Sequence, residues 1–212
     1  MLARLLAAAA LMLLAGPVLA HPHVWVKMQT ELVYAPDGSI TGIRHHWTFD
    51  DMFSAFAVQG LKGKVKGRFS REELAPLAQT NIESLKEYQY FTFATADGKK
   101  VAFGDPLPGY WLDDKNAILT LNFTLPFKTP VKTPLLRVEI YDPTIFVDFE
   151  FAKGAAPVKL VGANPACKLD IVRPQQITYA QSQRLGEQFF NALTTAQNWG
   201  EQYSNKILVN CP

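Results

Sequence analysis

The spacing of apolar and polar positions changes several times along this chain, and each change predicts an element. Residues 23 to 34 are rich in Val, Trp, Thr and Tyr, Pro36-Asp37-Gly38-Ser39 reads as a turn, and residues 40 to 49 resume a strand ending Trp47-Thr48-Phe49. The result is a hairpin, and a register with Tyr34 facing Ile40 places His46 opposite Met28, Asp50 opposite Val24 and Asp51 opposite His23. Met52, Phe53, Phe56, Ala57, Val58 and Leu61 then follow a helical period to about Leu61, with Asp50 and Asp51 suited to cap its free N–H groups. Ser70 with Glu73 forms a capping box, and Leu74, Leu77, Ile82 and Leu85 carry a second helix to about Tyr88.

Strand patterns return at Tyr88 to Thr95, Lys100 to Phe103 and Ala117 to Phe127, with a Pro/Gly-rich loop running through Asp113-Asp114 between the last two. Leu135 to Tyr141 and Ile145 to Phe151 are two apolar strands split by Asp142-Pro143, because proline cannot continue a ladder. A strand near Leu169 to Val172 precedes a helix from about Thr178 to Leu193. No repeat or interdomain linker interrupts the pattern. The fold class is therefore α+β, one compact unit in which an antiparallel sheet or sandwich forms the core and two to three helices pack against it.

The first twenty residues follow different rules. Arg4 gives a positive start, Leu5 to Ala15 is an apolar run too short to span a bilayer, and Val18-Leu19-Ala20 is a small-x-small cleavage site. We read residues 1–20 as a signal peptide and 21–212 as a periplasmic domain that does not span the membrane after cleavage. With 21 Lys+Arg against 19 Asp+Glu, the net charge of +2 lacks the basic excess of a nucleic-acid binder. In an oxidising compartment the two cysteines, Cys167 and Cys211, are expected to form a disulfide.

All four histidines, His21, His23, His45 and His46, lie in the first 46 residues. Cleavage after Ala20 makes His21 the N-terminus, so its amine and two imidazoles, with pKa values near ~7.7 and ~6.5, become nitrogen donors for a divalent metal. Pro22 has no N–H to ionise, which excludes a square-planar amide chelate. A frayed terminus with two exposed histidines is the alternative. The hairpin brings Asp50 and Asp51 to the same end as His21 and His23, whereas His45 and His46 lie roughly 15 to 17 Å further along, on opposite faces of their strand.

Three segments carry a resemblance: His21-Pro22-His23-Val24-Trp25, Trp47-Thr48-Phe49-Asp50-Asp51-Met52-Phe53-Ser54, and Tyr141-Asp142-Pro143-Thr144-Ile145-Phe146. They are similar to the signature segments of a bacterial family of unknown function, described as the periplasmic component of an uncharacterised ABC-type transport system and often encoded beside nickel/cobalt permeases. Asp51 stands where that family has a glutamate. The resemblance implies metal handling, adds Asp142 as a candidate ligand or as a partner orienting a histidine, and points to a membrane permease or ABC-type transporter as partner. The candidate metal set is thus His21, His23, Asp50, Asp51 and Asp142, with His45 and His46 set apart. Nitrogen-rich ligation suits Ni, Co, Zn and Cu alike. The expected function is non-enzymatic capture or delivery of such a metal. Two other readings compete: a copper monooxygenase whose terminal histidine brace is completed by His45 or His46, and a metal-free structural or interaction protein of the envelope. No Gly-x-Ser-x-Gly or His-Glu-x-x-His motif supports a hydrolase.

Overall fold

Strict alternation in Val24-Trp25-Val26-Lys27-Met28 puts every second side chain on one face, and that face becomes the inner wall of a β-sandwich. The computed structural model describes residues 24–65, 67–154, 156–174 and 199–212. The expected signal peptide, His21, His23 and the helix expected over 178–193 lie outside the described residues. Strands β1 (Val24–Tyr34) and β2 (Ile40–Phe49) form the expected hairpin. Two helices follow, α1 (Asp51–Ala57) and α2 (Arg71–Glu87), and Ser70 and Glu73 make the reciprocal capping box. Next come β3 (Thr92–Ala96), β4 (Lys99–Val101), β5 (Trp111–Lys115), β6 (Ile118–Val131), β7 (Leu135–Ile140) and β8 (Val147–Phe151). Last are β9 (Val158–Val161), β10 (Lys168–Val172) and β11 (Asn205–Asn210).

One sheet runs β5-β6-β2-β1-β8, with β9 also pairing β1, and the other runs β10-β11-β7-β3-β4. The fold is α+β with a β-sheet core, as the pattern predicts. It differs from the expectation in one respect: β8 and β9 lie parallel to β1, so the first sheet is mixed rather than antiparallel. Met28, Ile43, Trp47 and Phe123 from the first sheet meet Val138, Ile140 and Ile207 from the second in the core. Trp47 sits at its centre, with Phe123 and Phe149 rings at 5.0 and 4.9 Å.

The hairpin register also departs from the expectation. Tyr34 does face Ile40, but a bulge at Thr41 shifts everything beyond it by one, so His46 pairs with Gln29 and Trp47 with Met28. Gly42 permits the bulge, because a Cβ there would stand 2.6 Å from the Leu125 carbonyl of β6. The shift decides which face of β2 is buried: Trp47 and His45 stand opposite the inward-pointing Met28 and Thr30, and His46, which the expected register set against Met28, turns outward.

Candidate functional site

The end of the first sheet at which β1 begins gathers the acids. The backbone of Trp25 and Asp50 is paired, with Asp50 N–H donating to Trp25 O at 3.0 Å, and Trp25 N–H donates to Asp50 Oδ2 at 2.9 Å. Asp50 Oδ1 accepts from Phe53 N–H at 2.8 Å, so Asp50 is the cap of α1 as well as a clamp on β1. Asp51 lies in the first helical turn, exposed, with its Oδ1 accepting from Met52 N–H.

The parallel pairing of β8 adds two carboxylates that sequence reasoning did not single out. Asp148 is registered with Trp25 and Glu150 with Lys27. Both alternate outward from Phe149 and Phe151, a period-2 signal visible in Val147-Asp148-Phe149-Glu150-Phe151. What no pattern revealed was the neighbour, since a parallel partner is chosen by the path of the intervening chain. A cleft of ≈ 460 Å³ opens here, lined by Asp50, Asp51, Asp148 and Glu150 together with Trp25 and Lys27. Asp148 retains solvent contact, yet partial desolvation and then the Glu150 charge hold its carboxyl above the ordinary range.

Asp142 serves a different end. Its Oδ1 accepts from Thr144 N–H and Thr144 Oγ1–H, both at 2.8 Å, and its Oδ2 accepts from Phe146 N–H at 3.0 Å and Val147 N–H at 2.9 Å. Four donors saturate a carboxylate that is 4% exposed. They also hold Ile145 at a φ of 60°, costly for a β-branched residue, and lead the chain into β8. Val24 N–H donates to Phe146 O at 3.3 Å, so this loop abuts the start of β1. Replacing Asp142 by Asn puts an NH₂ against N–H donors, and we expect a loss of about 3 kcal/mol in urea-unfolding stability. A loss under about 0.5 kcal/mol would reject the loop-organising role.

The paired histidines sit elsewhere. His46 pairs with Gln29, five residues and ~17 Å along β1 from Val24. Its Nδ1 lies 2.6 Å from Asn122 Oδ1 and must donate to it, since the Asn122 amide nitrogen itself donates to Asp113 Oδ2 at 3.2 Å. Asp113 accepts further from Trp111 Nε1–H at 2.8 Å and Arg71 Nε–H at 2.6 Å. This chain fixes the tautomer and leaves the Nε2 lone pair of His46 free of that network. His45 is enclosed between the two sheets, with Nε2 3.3 Å from Thr92 Oγ1. Burial, and then the charge of His46, lower its pKa to about 3. The two histidines therefore diverge, one into the core and one onto the outer face.

Among the described residues no three His, Cys, Asp or Glu side chains stand close enough together to hold a metal ion, and no helix is long and apolar enough to cross a membrane. A larger cleft of ≈ 860 Å³ borders the second sheet, where Lys86 pairs with Asp105 at 2.8 Å beside Tyr90 and Glu139. Gln89, Tyr90 and Phe91 all have positive φ values there, a left-handed turn that replaces the start of the strand expected from Tyr88. Cys167 and Cys211 are joined as a disulfide.

No curated protein matches the chain. A family described as "Protein of unknown function (DUF1007)" matches residues 6–211, nearly the whole length, and the chain belongs to that family.

Proposed function

We propose that this chain is a periplasmic accessory protein that captures or delivers a divalent transition metal, Ni, Co, Zn or Cu, for a membrane permease or ABC-type transporter. The observation that carries the reading is the carboxylate-lined cleft at the entry of β1. Asp50, Asp51, Asp148 and Glu150 outnumber Lys27 there, and Asp50 holds the backbone of Trp25, two residues after His23. The two histidines ahead of Val24 add imidazoles, and a freed His21 adds its amine. Imidazole, amine and carboxylate together suit borderline divalent metals better than calcium or magnesium, which prefer all-oxygen shells. Exposed Asp51, with only one backbone N–H on its carboxylate, is the acid best able to join such a shell. Asp142 would act through the loop that abuts Val24 rather than by ligation.

Native mass spectrometry of protein beginning at His21, offered competing metals, tests this directly. One retained metal per chain is expected, lost in the His21→Ala/His23→Ala variant and weakened about tenfold by Asp51→Ala. A residue left ahead of His21 would turn its amine into an amide, so correct processing is checked by intact mass. Failure of the processed protein to retain any of the four metals overturns the reading.

A further inference from the structure

Between β2 and α2 the chain makes an excursion whose surface chemistry differs from that of the rest. Helix α1 already has one satisfied face: Phe53 packs on Phe49 with ring centroids 4.6 Å apart, and Ser54 Oγ accepts from Leu119 N–H at 3.1 Å. Met52 and Phe56, four residues apart, occupy the opposite face and are 67% and 71% exposed. Val65, at the turn closed by the Val65–Arg68 bridge, is 60% exposed. These are the three most exposed large apolar side chains among the described residues, and Leu61 between them is exposed as well. Single exposed apolar residues are ordinary, but here the three extremes fall within fourteen residues of chain.

The same excursion is basic. Residues 52–69 contain Lys62, Lys64, Lys66 and Arg68 and no acid. Lys62, Lys64 and Arg68 are exposed, and none of the three is within salt-bridge distance of a carboxylate among the described residues. Glu72 and Glu73, at the start of α2, are held below the usual carboxylate range mainly by hydrogen bonds from backbone N–H groups and Ser70, and to a lesser degree by Lys64. Exposed apolar tips and unpaired cations in one short stretch of chain match the two layers of an anionic bilayer surface, acyl chains below and phosphates above. Met, Phe and Arg are enriched at protein interfaces too, but lysine is depleted there, so it is Lys62 and Lys64 that favour a bilayer over a protein partner. Lysine stems also reach outward from an apolar contact to keep their charge at headgroup level.

We propose that residues 52–65 and Arg68 form a membrane-surface contact, seating Met52, Phe56 and Val65 at the headgroup–acyl boundary of an anionic bilayer with Lys62, Lys64 and Arg68 against the phosphates. The metal reading is not needed for this. The contact would hold the protein beside a bilayer without crossing it, with α1 fixed to the sandwich by Phe53 and Ser54.

Co-sedimentation with vesicles of phosphatidylcholine containing about one third phosphatidylglycerol tests it, against vesicles of phosphatidylcholine alone. The full chain and the chain beginning at His21 are run in parallel, so that any contribution of Leu5 to Ala15 is seen separately. We expect binding to the anionic vesicles by both chains, weakened about tenfold or more by Met52→Ser/Phe56→Ser and by Lys62→Glu/Lys64→Glu, and reduced by added salt. A Phe56→Trp variant should shift its fluorescence to the blue on those vesicles and not on neutral ones. These residues are exposed, so the variants should keep the wild-type unfolding midpoint, and that is measured alongside. Absence of binding by the chain beginning at His21, or binding that these variants leave unchanged, overturns the proposal. So does Phe56-dependent dimerisation without vesicle binding, which would make the patch a contact between copies of this chain.

Discussion

Urea unfolding of this protein should become easier as the pH falls below about 6.5, before most of its carboxylates titrate, and His45 is the reason. The Thr92 hydroxyl has one proton, which it donates to Tyr90 O at 2.8 Å, so at 3.3 Å it accepts from His45 Nε2–H. That leaves Nδ1 as a buried lone pair without a partner among the described residues. The rings of Trp47 and Phe123, at 5.2 and 4.9 Å, offer no counter-charge for an imidazolium. Burial therefore holds the folded-state pKa at about 3, against an ordinary value of 6.5. The folded state must keep His45 neutral while the unfolded state takes the proton. Stability from this source is fully present above about pH 6.5 and is lost at about 1.4 kcal/mol per unit as the pH falls toward 3, on the order of 5 kcal/mol in all. Set against a typical total of about 5 to 15 kcal/mol, that slope would be plain in unfolding midpoints. His45→Leu removes the titrating group and leaves the Thr92 bond to Tyr90 intact. Its midpoints between pH 6.5 and 5 should be flat where those of the wild type fall. Parallel curves for the two proteins would show that another group sets the slope.

The elements most legible in the sequence were those whose signals are local. Alternation in β1, the turn at Asp37-Gly38 and the Ser70–Glu73 capping box depend only on neighbours a few residues away, and each has its expected place. What eluded the pattern depends on distant chain. Trp111-Leu112-Asp113-Asp114-Lys115 is too polar to read as a strand, yet it becomes β5 because β6 supplies a full ladder from Asn122 to Ile118. Short β9 and β11 likewise owe their strand character to β1 and β7. The bulge at Thr41 is another case, since the cause is the approach of β6 to Gly42.

The candidate site divides along the same line. That Asp50 caps a helix was readable from its place before Met52 and Phe53, and so was the separation of His45 from His46 across a strand. The convergence of Asp148 and Glu150 on Asp50 was not, because it needs the parallel pairing of β8 with β1. The role of Asp142 was half readable: an Asp-Pro turn announces carboxylate-to-backbone bonds, but only the loop's closure on itself yields four donors.

Reduction of the Cys167–Cys211 disulfide should remove about 4 kcal/mol of stability, the chain-entropy value for a separation of 44 residues. The position of the bridge says which part of the fold should register the loss. Cys167 immediately precedes β10 and Cys211 immediately follows β11, and Lys168 faces Asn210, so the bridge closes one end of that ladder. β10 is an edge strand paired with β11 alone, and its residues alternate between exposed and half-buried, with none fully buried. Such a strand gains little from apolar burial and depends on its ladder and on the bridge. β11 is anchored independently, by pairing with β7 over all six of its residues and by Cys211 N–H donating to Pro134 O at 2.8 Å. We therefore expect two effects with different reach. Urea midpoints of a Cys167→Ser/Cys211→Ser variant should fall by the global amount, while amide exchange in β10 should rise far more than in β7 or β11. Global loss with β10 still protected would place the whole effect in the unfolded chain, whereas β10 exchange without global loss would make the bridge a local clasp on an edge strand.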